Sequence, residues 1–210
     1  MAKLLYIRTS PRGERSKSNT VADAFIESYR KTHQQDEIEI LNVFTADLPS
    51  FDGFTVRAKY TLMQGKEHSG EEAAAWKVVG RIIQQFKSAD KYLLSVPMWN
   101  FSIPYRLKQY IDILVQPGYT FTYDEEQGYQ GLVKDKPLFA IYARGGEYPK
   151  GTESEAFDMQ SKYIELIFSF IGFTDIRSIF IEPTLQGGED TARRKVDAAI
   201  KKVEQLAASF

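Results

Sequence analysis

Lys3-Leu-Leu-Tyr-Ile7 runs into Arg8-Thr9-Ser10-Pro11-Arg12-Gly13-Glu14-Arg15-Ser16-Lys17-Ser18-Asn19, and this stretch decides the fold. A short apolar run that stops at an arginine and a Ser/Pro/Gly loop reads as a strand buried on both faces. Ser18–Thr32 then places Val21, Phe25 and Tyr29 on one helical stripe. Strand, polar loop and helix form the opening of a βαβ unit, and the same alternation continues along the chain. Further strands are expected at Lys91–Val96, Pro137–Ala143 and Asp175–Ile181, while Glu37–Val43 alternates in the manner of a sheet edge. Helices are expected at Gly70–Ser88, Pro104–Val115, Ser154–Phe170 and Glu189–Ala208, with Pro104 acceptable in a first turn. Strands separated by helices of this length imply a parallel sheet with right-handed crossovers. The expectation is one three-layer α/β domain over residues 1–210, without repeat or linker. Two excursions exceed that pattern: a loop with a helix around Thr55–Gln64, and a hairpin or ordered loop within Gln116–Val133.

Composition removes whole classes of chemistry. The 210 residues include no cysteine, which excludes thiol nucleophiles, CxxC redox pairs, thiolate zinc sites and Cys-ligated iron–sulfur clusters. His33 and His68 are the only histidines, too few for a multi-histidine metal centre, and no metal site is expected. With 27 Lys plus Arg against 28 Asp plus Glu, the chain has no blanket charge that favours nucleic acid or an anionic membrane. No stretch approaches the roughly 18 apolar residues of a membrane span, and no secretory h-region is present. A soluble cytoplasmic protein is expected.

The loops after the expected strands carry the candidate chemistry. The first offers Ser10, Ser16, Ser18, Lys17 and two arginines at the start of a helix, where unpaired N–H groups attract anions. It matches neither GxGxxG nor GxxxxGK[ST], and the same residues would also serve as an ordinary helix cap with solvent-facing charges. The second loop, Pro97-Met98-Trp99-Asn100-Phe101-Ser102-Ile103-Pro104, is stiffened by two prolines and flanks an amide with aromatics. That arrangement suits either a planar ring or a core plug. The third, Ala143-Arg144-Gly145-Gly146, permits close backbone approach and equally suits a plain turn. In open α/β sheets ligands sit beyond the carboxyl ends of the strands, so a phosphate-binding loop, a ring-binding loop and a spacious one together suggest a mononucleotide cofactor, most simply FMN.

Taken in order, Ser10 with Ser16-Lys17-Ser18-Asn19, Pro97-Met98-Trp99-Asn100-Phe101, Arg144-Gly145-Gly146, Thr120-Phe121, Gly131-Leu132-Val133 and Phe170-Ile171-Gly172-Phe173 resemble the FMN-dependent NADH-azoreductases, also described as NADH:quinone oxidoreductases. The resemblance runs through almost the whole chain. It implies a flavodoxin-like sandwich with a five-stranded parallel sheet in the order 2-1-3-4-5 and helices on both faces. It also implies one FMN per subunit, its phosphate on Ser10, Ser16, Lys17 and Ser18. Pro97, Met98, Trp99, Asn100 and Phe101 would lie along the ring and ribityl chain, with Ala143, Arg144, Gly145 and Gly146 at the other edge. Ala143 stands where some members carry Ser, and Trp99 where Tyr is common.

The resemblance further implies a homodimer with flavin sites near the interface, and places Phe121 close to substrate. NADH or NADPH would reduce the flavin, and quinones or azo compounds would then be reduced in a two-electron ping-pong reaction. No side chain is assigned as catalytic acid or base, because the cofactor carries the chemistry. Two other readings stay open at this point. One is a flavodoxin-type electron carrier without its own NAD(P)H oxidation; the other is a non-enzymatic nucleotide-binding protein.

Overall fold

In the computed structural model, which describes residues 1–210, β1 (Lys3–Arg8) sends Leu4 and Tyr6 to one core and Leu5 and Ile7 to another. All four are fully buried, as a strand covered on both faces requires. Along the chain follow α1 (Lys17–Thr32), β2 (Glu37–Asn42), α2 (Gly53–Met63), α3 (Gly70–Lys87), β3 (Lys91–Pro97) and α4 (Tyr105–Leu114). Then come β4 (Phe121–Asp124), β5 (Gly128–Gly131), β6 (Leu138–Ala143), α5 (Met159–Ile171), β7 (Ile176–Ile181) and α6 (Gly188–Ala207). The main sheet has the order β2-β1-β3-β6-β7 with every pair parallel. With the β4–β5 hairpin set aside, this is the expected 2-1-3-4-5 order of a flavodoxin-like sandwich. β2 lies at one edge and has no fully buried residue, in keeping with its alternating sequence.

The period of each helix decides which side it covers. Val21, Phe25 and Tyr29 of α1 and Ala199 and Val203 of α6 pack on Leu4, Tyr6, Leu93 and Phe139. On the opposite face, α3, α4 and α5 bury Val79, Ile83, Leu107, Ile111, Ile164 and Phe168 against Leu5, Ile7, Leu94 and Tyr142.

One helix boundary differs from the sequence expectation. Ser154–Phe170 is not continuous: a 3₁₀ turn over Glu153–Phe157 ends at Asp158, whose ψ of 77° breaks the helical path. Asp158 instead caps α5, accepting from the Ser161 N–H at 2.9 Å. Phe157, inside the expected helix, is consequently 52% exposed.

The hairpin is fastened to α5 through two glycines. Gly172 terminates α5 with a φ of 119°, and the Val133 N–H donates to the Ile171 carbonyl at 2.9 Å. A Cβ on Gly131 would stand 2.3 Å from the Gly172 nitrogen, so the backbones meet where no side chain fits. Gly131-Leu132-Val133 and Phe170-Ile171-Gly172 are therefore the two sides of one contact.

Candidate functional site

Parallel strands end on the same edge of the sheet, so the loops after β1, β3, β6 and β7 converge there. They enclose a cavity of about 120 Å³. Ser10, Arg12, Ser16, Lys17 and Ser18 line it from the first loop, and Pro97, Met98 and Trp99 from the second. Ala143 and Gly145 come from the third loop, Thr184 and Leu185 from the fourth.

Ser16 is the N-cap of α1, its Oγ accepting from the Asn19 N–H at 3.3 Å and lying 3.2 Å from the Ser18 Oγ. Lys17 and Ser18 are the first helical residues, so their N–H groups have no carbonyl partner within the helix. Lys17 Nζ donates to the Thr184 carbonyl at 3.2 Å, spanning from the first strand end to the last. The first turn of α1 is held to β3 from beneath. Asn19 Oδ1 accepts from Ser95 Oγ at 2.8 Å, and Thr9 Oγ1 donates to the Ser95 carbonyl at 2.6 Å.

The donor set suits one class of ligand. Three nearly buried hydroxyls, two cations and a helix N-terminus face a cavity that no carboxylate lines. Such a site suits a phosphate monoester dianion, and the residues present fit the phosphate end of FMN.

The second loop is a tight turn under strain. Trp99 and Ser102 exchange backbone hydrogen bonds of 3.0 and 2.9 Å around Asn100 and Phe101, whose φ values are 47° and 67°. Positive φ at both central positions is the type I′ arrangement, which ordinarily selects Asn-Gly. A phenylalanine in the second position therefore carries about 1–2 kcal/mol of left-handed strain. The turn is pinned by the Met159 N–H donating to the Phe101 carbonyl at 3.1 Å, and by the Phe157 ring 5.0 Å from that of Phe101. Met98 N–H donates to the Ala143 carbonyl at 2.8 Å, tying the second loop to the third. Trp99 also lines a wider groove of about 630 Å³, shared with Phe51, Asn100, Ile103 and Tyr105.

Most residues singled out by sequence meet here, but not all in the same way. Ser10, Ser16, Lys17, Ser18, Pro97, Met98, Trp99, Ala143 and Gly145 share the cavity, whereas Asn100 faces the groove. Phe101 is 49% exposed beside them. Gly145 is close-packed against Leu185, and Gly146 lies beside Gln186. Phe121 lines neither cavity nor groove; its ring packs 4.9 Å from Phe170.

Arg144 is turned inward, so any contribution to the cavity comes from its backbone. Its guanidinium is 2% exposed and lies 2.7 Å from Asp158 and 3.4 Å from Glu182. Burial alone would raise the Asp158 carboxyl. Hydrogen bonds from the Ser161 hydroxyl and amide, with the charge of Arg144, outweigh it and hold that group below the usual carboxylate range.

Arg12, Thr184 and Leu185 are lining residues that the sequence reading did not assign. The signal for the last two was present: Glu182-Pro183-Thr184-Leu185 follows a strand, and the strand-end rule applies to that loop as to the other three.

The chain is similar to known proteins over its whole length. The family model described as "Flavodoxin-like fold" matches residues 2–207. An FMN-dependent NADH:quinone oxidoreductase of Nitratidesulfovibrio vulgaris is 53% identical over 210 residues, covering 100% of both chains. A namesake from Desulfotalea psychrophila is 47% identical over 206 residues, covering 98% of this chain and 95% of its own. Among solved structures, an FMN-dependent NADH-azoreductase from Bacillus anthracis, in complex with FMN, superposes with a TM-score of 0.89 at 30% identity, covering 100% of this chain and 99% of that one. The chain belongs to the FMN-dependent NADH:quinone oxidoreductase and azoreductase family, of flavodoxin-like fold.

Proposed function

We propose that this protein is an FMN-dependent NAD(P)H oxidoreductase that reduces quinones by two electrons and cleaves aromatic azo compounds to amines. The observation that carries the reading is the carboxylate-free cavity of hydroxyls and cations at the α1 N-terminus, beside a loop of aromatic residues. When bound, FMN supplies hydride acceptance from the nicotinamide and two-electron delivery to the acceptor.

The chain's own residues bind and orient. Ser10, Ser16 and Ser18 donate hydroxyl hydrogen bonds to the phosphate, and Lys17 and Arg12 balance its charge. Pro97 through Phe101 and the backbone of Ala143 through Gly146 form the two edges of the ring site. Trp99 separates that site from the groove of about 630 Å³, whose Phe51, Ile103 and Tyr105 offer a flat acceptor apolar surface. Protons come from solvent, so no side chain is given an acid–base role.

The working form is a cytoplasmic homodimer. Supporting it are the exposed rings of Phe101, Tyr105, Tyr123 and Tyr129, which a second copy would cover, bringing Phe121 near the acceptor. Purified protein should be yellow and should turn over NADH or NADPH, beyond the one equivalent that reduces its own FMN, when a quinone or azo dye is present. Holoprotein that turns over neither acceptor would return the molecule to the class of single-electron carriers. Light scattering in solution tests the dimer separately.

A further inference from the structure

We infer that Arg144 is a positioning residue for the flavin ring, setting the relative placement of the two loops that form the ring site. The inference rests on the FMN reading above.

Arg144 is almost fully enclosed, and its guanidinium is committed to two places, the first turn of α5 and the residue after β7. Nε donates to Gln160 Oε1 at 3.0 Å, Nη2 to Asp158 at 2.7 Å and Nη1 to Glu182 at 3.4 Å. Phe180 covers one face, its ring centroid 4.2 Å from the guanidinium carbon. Gln160, itself without exposed surface, carries the link onward: its Nε2 donates to the Val96 carbonyl at 3.0 Å, at the end of β3. The next residues, Pro97 through Phe101, are the second loop. Arg144 together with Gln160 thus joins the ends of β3, β6 and β7 to the first turn of α5. The adjoining turn is fixed from the same place, because Met159, between Asp158 and Gln160, donates its N–H to Phe101.

Stability alone does not account for this arrangement. Exchanging a buried ion pair for apolar side chains is often neutral or favourable, so burying one cation with two carboxylates is a weak way to stabilise a fold. What a guanidinium supplies is direction: a rigid planar fork fixes partners at set angles, which the point charge of a lysine does not. The planar group sits behind the backbone of Ala143 through Gly146, and its partners lead to the backbone of the second loop. The two edges of the ring site, joined directly by the Met98 N–H to Ala143 carbonyl bond, are therefore also held in place from behind by Arg144 acting through Gln160.

The experiment compares wild-type, Arg144→Lys and Gln160→Met proteins, each titrated with FMN and with riboflavin, and records visible circular dichroism of the bound flavin and the thermal midpoint. Arg144→Lys keeps the charge but loses the fork, and Gln160→Met cuts the link to β3 while leaving the ion pairs. Should the first fail to fold, the second carries the test. Loss of an outer partner at metal sites costs about 10–100-fold in affinity, and an effect near the lower figure is expected here. FMN and riboflavin should weaken by the same factor, since the phosphate residues are untouched, and the dichroism of the bound ring should change. Unchanged affinity and dichroism, even with a lower thermal midpoint, would reduce Arg144 to a structural residue and overturn the inference. Weakening of FMN without riboflavin would also overturn it, by moving the effect to the phosphate. Wild-type protein that binds neither flavin would instead overturn the cofactor reading itself.

Discussion

Ser95 Oγ donates to Asn19 Oδ1 at 2.8 Å in a buried contact that joins β3 to the first turn of α1. Through it, the helix end that presents Ser16, Lys17 and Ser18 is aligned with the strand that delivers Pro97 through Phe101. Asn19→Ala leaves the Ser95 hydroxyl buried without that partner and should cost about 1–3 kcal/mol. Ser95→Ala should cost a similar amount, and the double variant less than the sum of the two. Urea unfolding of the four proteins measures this; additive losses would show that the pair is not coupled.

Lys17→Ala tests the phosphate cradle. A hydrogen bond to a charged group is worth about 1.5–3 kcal/mol, so FMN affinity should fall about tenfold or more. Riboflavin, lacking the phosphate, should bind the variant as it binds the wild type. Fluorescence quenching with both ligands gives the ratio directly.

The turn at Asn100–Phe101 reverses an ordinary ranking. Glycine is usually the less stable choice beside alanine, but here the φ of 67° penalises any side chain. Phe101→Gly should therefore be more stable than Phe101→Ala by about 1 kcal/mol, read from the two unfolding midpoints.

Gly131→Ala drives a methyl into the backbone of Ile171 and Gly172, where no flexible side chain can move aside. Destabilisation should reach about 3 kcal/mol, the upper end for overpacking. Limited proteolysis should then cut between Tyr123 and Tyr129 faster than in the wild type.

The acid limb of stability should depend on Asp158. Its carboxyl is depressed in the folded protein, so its contribution is complete above the unfolded value of about 3.9 and is lost as the pH falls through the lower folded value. Asp158→Asn should cost stability at neutral pH and flatten the fall below about pH 4. Urea midpoints at pH 3 to 7 compare the two proteins.

The fold was legible because its signals are local and repeated. Runs such as Leu4–Ile7 and Leu93–Val96 can be buried only between two helical layers, and helix periods such as Val21, Phe25 and Tyr29 say which face is covered. The break at Asp158 was not legible, since the apolar spacing continues across it and what stops the helix is a carboxylate engaged by a distant arginine. The first three site loops were marked by their own residue types. Inward rotation of Arg144 was not, because a sequence places an arginine beside two glycines without saying which way its side chain turns. The strain at Phe101 was hidden too: Asn-Phe is no turn dipeptide, and the exchange of bonds between Trp99 and Ser102, with the Met159 N–H on the Phe101 carbonyl, imposes the geometry.

Lys17 and Thr184 are 167 positions apart, yet they touch across the cavity at the strand ends. One wall of the cavity therefore comes from the loop after β1 and the opposite wall from the loop after β7, at the far side of the sheet order. With β7 undocked, Thr184 and Leu185 do not close the pocket. Ligand binding at that wall thus favours the state in which β7 is docked, and cofactor capture reports that docking.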